Sequence, residues 1–132
     1  MEKMFIEIQS LYDFDQTVET LSETILSNGW KISMTHDLQG TLIKSGIEVL
    51  PVKVIELCNP LLASQILSDS DTRMYSSMLP CRIFVYRKED GRTYISMINS
   101  ALMASQIAGV AGEVMKEAFL AAEKFVAVVT KK

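Results

Sequence analysis

The sequence contains few of the residues that build disulfide frameworks or metal sites. It has two cysteines, Cys58 and Cys81, and one histidine, His36. Two cysteines do not make a disulfide framework, so we expect free thiols in a reducing compartment. A closed zinc site takes about four nitrogen or sulfur ligands, which leaves open only a site shared between subunits. We therefore predict neither a bound metal nor a cofactor.

Long apolar runs and a strong excess of one charge are also missing. No run approaches the roughly 18 to 20 apolar residues that cross a bilayer, and the first residues lack a signal-peptide pattern. The net charge is -3, and nucleic-acid binders usually carry a far larger basic excess than the few cations around residues 82–92. We expect a soluble, cytoplasmic protein with no membrane span and no nucleic-acid partner.

Proline is scarce, and two of the three prolines lie beside the cysteines, in Cys58-Asn59-Pro60 and Leu79-Pro80-Cys81. Asn59 is a good helix N-cap and Pro60 a favoured first helical residue, because the missing proline amide would be unpaired there anyway. The first tripeptide therefore ends an apolar run and begins a helix. The second one stands at the head of another apolar run.

Hydrophobic periodicity and turn signals predict alternating strands and helices. Glu89-Asp90-Gly91 between two β-rich runs is a strong hairpin signal. Gly109 and Gly112 are expected to interrupt the last helical segment, and residues 68–77 form a polar, turn-like connection. The predicted strands cover residues 4–9, 30–35, 49–57, 82–87 and 92–98, and the predicted helices cover residues 13–28, 37–44, 60–67 and 110–129.

The order βαβαβαββα predicts one α+β domain over residues 1–132, with a mixed sheet sandwiched by helices. Trp30, Ile32 and Met34 alternate with polar residues and should share one buried strand face, which His36 continues. Other strands are apolar on both sides, so we expect both sheet faces to be covered. The second cover would be the C-terminal helix or a second subunit, and surplus apolar surface favours a homodimer.

The thiols allow two interpretations. Cys58 directly precedes a helix N-cap, where the positive end of the helix dipole would lower the pKa of a thiol. Alternatively, Cys58 is a small buried hydrophobe, and the same choice applies to Cys81. If the two strand ends are adjacent, the cysteines form a pair suited to redox or sulfur chemistry. We favour packing, because free cysteine is among the most buried residue types.

The remaining polar residues show no catalytic pattern. No serine or cysteine beside His36 announces a nucleophile, and a lone histidine at the end of an apolar strand face is more often packed or capping. The sequence has no glycine-rich phosphate loop, nucleophile elbow or metalloprotease helix. A protein without enzymatic activity is therefore the preferred interpretation.

Several motifs, in order, resemble those of the domain of unknown function 302 family, the TT1751-like proteins. The matching elements cover nearly the whole chain: Asp37 with the glycine-bounded segment that follows, Cys58-Asn59-Pro60-Leu61-Leu62-Ala63, Leu79-Pro80-Cys81-Arg82-Ile83-Phe84-Val85-Tyr86, and Asp90-Gly91 in the turn. The resemblance implies a compact α+β fold that is commonly dimeric, with no established reaction.

The preferred hypothesis is a homodimeric binding or assembly module for an unknown small molecule or protein. Its pocket would lie near the Asn59-Pro60 corner, the 74–79 loop and the first hairpin strand, since pockets favour such junctions. The alternative is sulfur or redox handling, with Cys58 as nucleophile and Cys81 as resolving thiol, and a conventional hydrolase or transferase ranks last. The candidate binding residues are Cys58, Asn59, Pro60, Cys81, His36 and Met78.

Overall fold

The structure, a computed structural model, describes residues 3–79 and 81–130. Its strands are β1 (Phe5–Gln9), β2 (Lys31–Asp37), β3 (Val52–Cys58), β4 (Cys81–Arg87) and β5 (Thr93–Ile98). Its helices are α1 (Phe14–Ser27), α2 (Leu38–Lys44), α3 (Pro60–Leu67), α4 (Ser100–Ala104) and α5 (Val110–Thr130), with a 3-10 helix over Arg73–Met78. The predicted α+β class and element order are confirmed, with α4 and the 3-10 helix added to them.

The five strands form one sheet in the order β1-β5-β4-β3-β2. The first strand pairs with the last, with Phe5 opposite Ile98, and each of the later strands runs against the one before it. The connection through α1 thus carries the chain from one sheet edge to the other. The sheet is antiparallel instead of mixed, because β1 enters against β5 and not beside a parallel partner.

Helices α1 and α5 lie together on one face of the sheet, here called the helical face. Leu21 of α1 and Val126 of α5 are buried in one cluster with Ile55, Ile83 and Ile95 of the three middle strands. Because α5 lies beside α1, these two helices do not sandwich the sheet. The C-terminal helix is therefore not the cover for the second face.

The second face, here called the open face, exposes large apolar side chains. Phe5 of β1, Met34 of β2 and Ile98 of β5 are 69%, 53% and 45% exposed. Strand alternation places them on the side opposite the buried core residues. Helix α2 packs against β3 but has no buried residue of its own.

A β-bulge in β2 changes the side on which its second half points. Ile32 is opposite Leu57 and Met34 is opposite Glu56. The chain therefore advances by two residues in β2 while it advances by only one residue in β3. The extra residue, Ser33, moves Met34 to the open face while Ile32 stays on the helical face. The expectation that Met34 would share the buried face of Trp30 and Ile32 is wrong for this reason.

The segment after α3 was predicted as a polar, turn-like connection, but part of it forms the 3-10 helix. The hydroxyl of Thr72 donates to the carbonyl oxygen of Ile66 at 2.7 Å, which ties the segment back to the end of α3. The 3-10 helix then carries Met78 to the start of β4. Pro80, the middle residue of the second predicted tripeptide, lies outside the described residues.

Gly109 separates α4 from α5, as the sequence predicts, whereas Gly112, which was also expected to interrupt the segment, lies within α5. Gly109 has a φ of 78°, a left-handed conformation that favours glycine. Gly112 lies so close to the preceding turn that a Cβ atom would be 2.0 Å from the carbonyl oxygen of Ile107. This approach closes a second apolar cluster of Ile66, Ala104, Ala111, Val114 and Met115. No helix in the described ranges is both long and apolar enough to cross a membrane.

Candidate functional site at the strand ends

The end of β3 and the start of α3 form a capped corner. The side chain of Asn59 accepts hydrogen bonds from the backbone amides of Leu61 and Leu62 at 3.0 and 3.3 Å. Pro60 occupies the first turn of the helix. This cap holds Cys58, the last residue of β3, at a fixed position beside the helix start, and it confirms the predicted beginning of α3.

Strands β4 and β5 separate from each other close to this corner. Their register runs from Arg87 opposite Thr93 to Phe84 opposite Ser96. Strand β4 nevertheless begins at Cys81, which pairs with Leu57 of β3, and β5 continues to Ile98. Each strand therefore stays in the sheet through its other neighbour, while a gap opens between them.

Two adjoining cavities occupy this region. The first, here called the inner cavity, has a volume of about 30 Å³ and lies between the helical face and α3 and α5. The second, here called the slot, has a volume of about 130 Å³ and lies at the gap between β4 and β5. Both are lined by Met78, Cys81 and Ser100. The two together are called the strand-end pocket.

The walls of the strand-end pocket are mostly apolar. The inner cavity is bounded by residues of the two core clusters, among them Trp30, Leu57, Leu62, Ile66, Val114 and Met115. Phe119 and Ala122 of α5 form the floor of the slot, and Arg82 lies in its wall. Such a pocket favours a ligand with a hydrocarbon part and few polar groups.

The thiol of Cys81 is poorly suited to act as a nucleophile. Burial, together with the nearby Cys58 thiol, raises the pKa of Cys81 from its ordinary value of 9.0 to about 11. At neutral pH this thiol is therefore protonated, and the thiolate is the reactive form. Both cysteines are free and half-buried.

His36 lies elsewhere, on the open face. Its Nε2 atom is 2.5 Å from Oε1 of Glu56, and Nε of Arg82 donates to the other carboxylate oxygen at 3.2 Å. The hydrogen bond with His36, more than that with Arg82, holds the pKa of Glu56 below its ordinary value of 4.5. The histidine thus belongs to a polar network across β2, β3 and β4.

A second polar network lies at the other end of the open face. Tyr86 donates to the carboxylate of Glu7, and Nζ of Lys88 donates to the same carboxylate at 2.7 Å. Lys88 also lies 4.2 Å from the ring centre of Tyr94. Lys88, like Arg82, is therefore matched by a carboxylate, which reduces the basic character of the hairpin.

The structure brings together four of the six candidate residues predicted from the sequence. Cys58, Asn59, Met78 and Cys81 line the inner cavity, Pro60 is in the first turn of α3 behind them, and His36 is on the open face. Sequence reasoning missed Ser100, Phe119 and Ala122, because they enter the site from distant parts of the chain. The only sequence signal for Arg82 was its place in the basic cluster around the hairpin.

No group of three or more histidine, cysteine, aspartate or glutamate side chains within residues 3–79 and 81–130 is arranged to hold a metal ion. Cys58 and Cys81 line the strand-end pocket, whereas the one histidine bonds to Glu56 on the open face. The chemistry of the strand-end pocket is therefore set by its apolar walls and its few polar groups.

Comparisons with known proteins agree with this fold. The family model described as "Domain of unknown function DUF302" matches residues 6–129. The crystal structure of an uncharacterized conserved DUF302 protein from Bacillus stearothermophilus is similar, with a TM-score of 0.83 at 19% sequence identity, over 95% of this chain and 97% of that one. No curated protein matches the sequence. Since the family model covers nearly the whole chain, the protein belongs to the DUF302 family.

Proposed function

We propose that this protein is a non-enzymatic binding module that takes a small, mainly apolar molecule in the strand-end pocket. The observation that carries the proposal is that the inner cavity and the slot share Met78, Cys81 and Ser100 as wall residues. The pocket is built from seven separate elements: β3, α3, the 3-10 helix, β4, β5, α4 and α5. Such junctions of apolar walls with a few polar groups are common places for ligands.

The size of the pocket limits the ligand. Volumes of about 30 and 130 Å³ are well below the roughly 300–1,000 Å³ of pockets for drug-sized ligands. A narrow hydrocarbon chain fits this shape better than a ring system. Met78 lies between the two cavities, and the flexible side chain of methionine adapts readily to a ligand of this kind.

A binding function is favoured over catalysis by the positions of the ionisable groups. Cys81 has a raised pKa, and His36 is held by Glu56 on the open face. A nucleophile and a general base need to be within hydrogen-bond reach of each other, in a plausible pose with the substrate. Cys81 lies on the helical face of the sheet, whereas His36 and Glu56 lie on the open face.

We also infer that the protein forms a homodimer through the open face. Phe5, Met34 and Ile98 expose large apolar surface there, on three different strands. Glu7 and Lys88 give the same face both signs of charge. A two-fold interface places one surface patch against its own copy, so a patch with apolar residues and both charge signs can complement itself.

Thiol chemistry is the alternative function. The adjacency of Cys58 and Cys81 at the inner cavity favours it, since a disulfide needs two thiols at neighbouring positions. The raised pKa of Cys81 opposes it at neutral pH. Sulfur or redox handling would therefore depend on Cys58 as the attacking group.

Octan-1-ol is a suitable probe for the binding function. Titrated into the isotope-labelled protein, it is expected to cause saturable amide shifts at Met78, Cys81 and Ser100 in heteronuclear spectra. An Ala122→Leu variant fills the floor of the slot and should lose binding. An Ala127→Leu variant changes the same helix outside the pocket and should bind normally. If the parent protein shows no saturable shifts at these residues, the proposal is wrong.

A further inference from the structure

We propose that the ligand of the strand-end pocket is an amphiphilic carboxylate, a linear alkyl chain with an anionic head group. The chain would enter the slot between β4 and β5, and the carboxylate would bind Arg82 at the open face. This inference rests on the proposed binding function and adds the chemical class and the orientation of the ligand.

The slot passes through the plane of the sheet. Ile83, Val85 and Ile95 are fully buried on the helical face, so strand alternation places Arg82, Phe84 and Ile98 on the open face. Phe119 and Ala122, by contrast, come from α5 on the helical face. Residues of both groups line the same slot. A path from one side of the sheet to the other follows, because the register of β4 with β5 ends at Phe84 and Ser96.

The chemistry of the walls changes along this path. On the open face the slot has the guanidinium of Arg82, whose side chain is 55% exposed. On the helical face its walls are Met97, Phe119 and Ala122, all at least 93% buried. A charged mouth and an apolar interior match a molecule with one anionic end and a hydrocarbon tail.

Arg82 has donors left for a ligand. Its Nε atom donates to Glu56, and a guanidinium carries five N–H donors in all. The terminal amino groups make no hydrogen bond to any residue of the described ranges 3–79 and 81–130. They can bind a carboxylate with two parallel hydrogen bonds, the geometry that arginine favours. The Glu56 carboxylate is already engaged by His36 and Arg82.

The inner cavity gives the tail a place to end. It adjoins the slot at Met78, Cys81 and Ser100, and beyond them it is lined by Ile66 and Val114. The polar groups at this junction are a protonated thiol and a serine hydroxyl. Both are uncharged, so an alkyl chain beside them does not desolvate a charged group. A longer chain would therefore extend from the slot into the inner cavity.

Octanoate and octan-1-ol distinguish the inference from the proposed function, because they share a chain and differ in head-group charge. We expect octanoate to bind more tightly to the parent protein at neutral pH. Arg82→Gln should weaken octanoate binding about tenfold, because the charge-assisted hydrogen bonds of the guanidinium are lost, and should weaken octan-1-ol binding far less. Arg87→Gln removes an arginine from the far end of the same strand and should change neither.

The outcomes separate the two claims. Equal binding of octanoate by the parent protein and by Arg82→Gln would overturn the role of Arg82 while the apolar site stands. Failure of both compounds to bind would overturn the proposed function as well. Amide shifts in the unmodified protein give a test that needs no variant: octanoate should shift the amide of Arg82 more than octan-1-ol does, and equal shifts would contradict the predicted orientation.

Discussion

Nε2 of His36 and Oε1 of Glu56 lie 2.5 Å apart on the open face, joined across β2 and β3. Val54, opposite His36 in the register, is buried although it lies on this face. The pair therefore joins the edge strand β2 to its inner neighbour β3. Arg82, on the other side of Glu56, connects the pair to the mouth of the slot.

Replacing Glu56 with Gln should destabilise the protein at neutral pH. The pKa of Glu56 is lowered in the folded state, first by the hydrogen bond with His36, so the charged form stabilises the fold above the ordinary pKa of 4.5. This contribution is lost as the pH falls below 4.5 towards the folded-state pKa. The difference in free energy of unfolding between parent and variant, measured by urea titration, should therefore narrow with acidification.

Glu48→Gln provides the control for this titration. Glu48 is exposed in the segment between α2 and β3, so Glu48→Gln is expected to change the free energy of unfolding little. If the difference in free energy of unfolding between the parent protein and Glu56→Gln stays constant from neutral to acidic pH, the interpretation is wrong. Such a difference would not depend on the charge of the Glu56 carboxylate.

The contact between His36 and Glu56 is an example of what could not be predicted from the sequence. Capping and periodicity are local, so α3 with Asn59 and Pro60 and the break at Gly109 follow from neighbouring residues. The His36 and Glu56 contact depends on strand register and on the bulge at Ser33, which no alternation of polar and apolar residues reveals. The sequence therefore predicted His36 on the apolar side, and the structure places it in a polar network.

The strand-end pocket was predictable only in part, for a similar reason. Cys58, Asn59, Met78 and Cys81 lie near the two proline-containing corners, which are conspicuous in the sequence. The gap between β4 and β5 is not conspicuous, because residues 82–87 form one uninterrupted β-rich run in the sequence. The gap arises where each strand keeps only its outer neighbour, and that is a property of the whole sheet.

Asn59→Ala should destabilise the protein by about 1 kcal/mol, because two amides of the first helical turn lose their acceptor. Asn59→Asp keeps an acceptor oxygen at the cap and should restore most of the loss. Urea titration of the three proteins measures the effect. Equal destabilisation by alanine and aspartate would show that the cap hydrogen bonds contribute little.

Gly112→Ala should destabilise the protein by about 1–3 kcal/mol through steric overlap in the second apolar cluster. The added Cβ atom would be 2.0 Å from the carbonyl oxygen of Ile107, so α5 must move away from the preceding turn. Glu117→Ala places an alanine on the exposed side of the same helix and should have little effect. Thermal unfolding of both variants gives the comparison, and a neutral Gly112→Ala would contradict the close approach.

Alkylation kinetics should show that Cys81 reacts slowly at neutral pH. In a Cys58→Ser variant, Cys81 is the only thiol, and its pKa should fall slightly below about 11 because the neighbouring Cys58 is gone. Burial, the larger cause, remains, so the midpoint of the rate against pH should stay above 9.0. A midpoint below 9.0 would favour the thiol alternative over packing.

Charged substitutions on the open face should dissociate the proposed homodimer. Met34→Lys and Phe5→Lys each place a cation within exposed apolar surface, where a two-fold interface would bury it beside its symmetry mate. We expect light scattering to give twice the chain mass for the parent protein at micromolar concentration and the single-chain mass for these variants. Leu120→Lys changes a side chain on α5 that is 44% exposed, on the other side of the sheet, and should remain dimeric. If the parent protein is monomeric, or if Leu120→Lys dissociates it while the other two do not, the open face is not the interface.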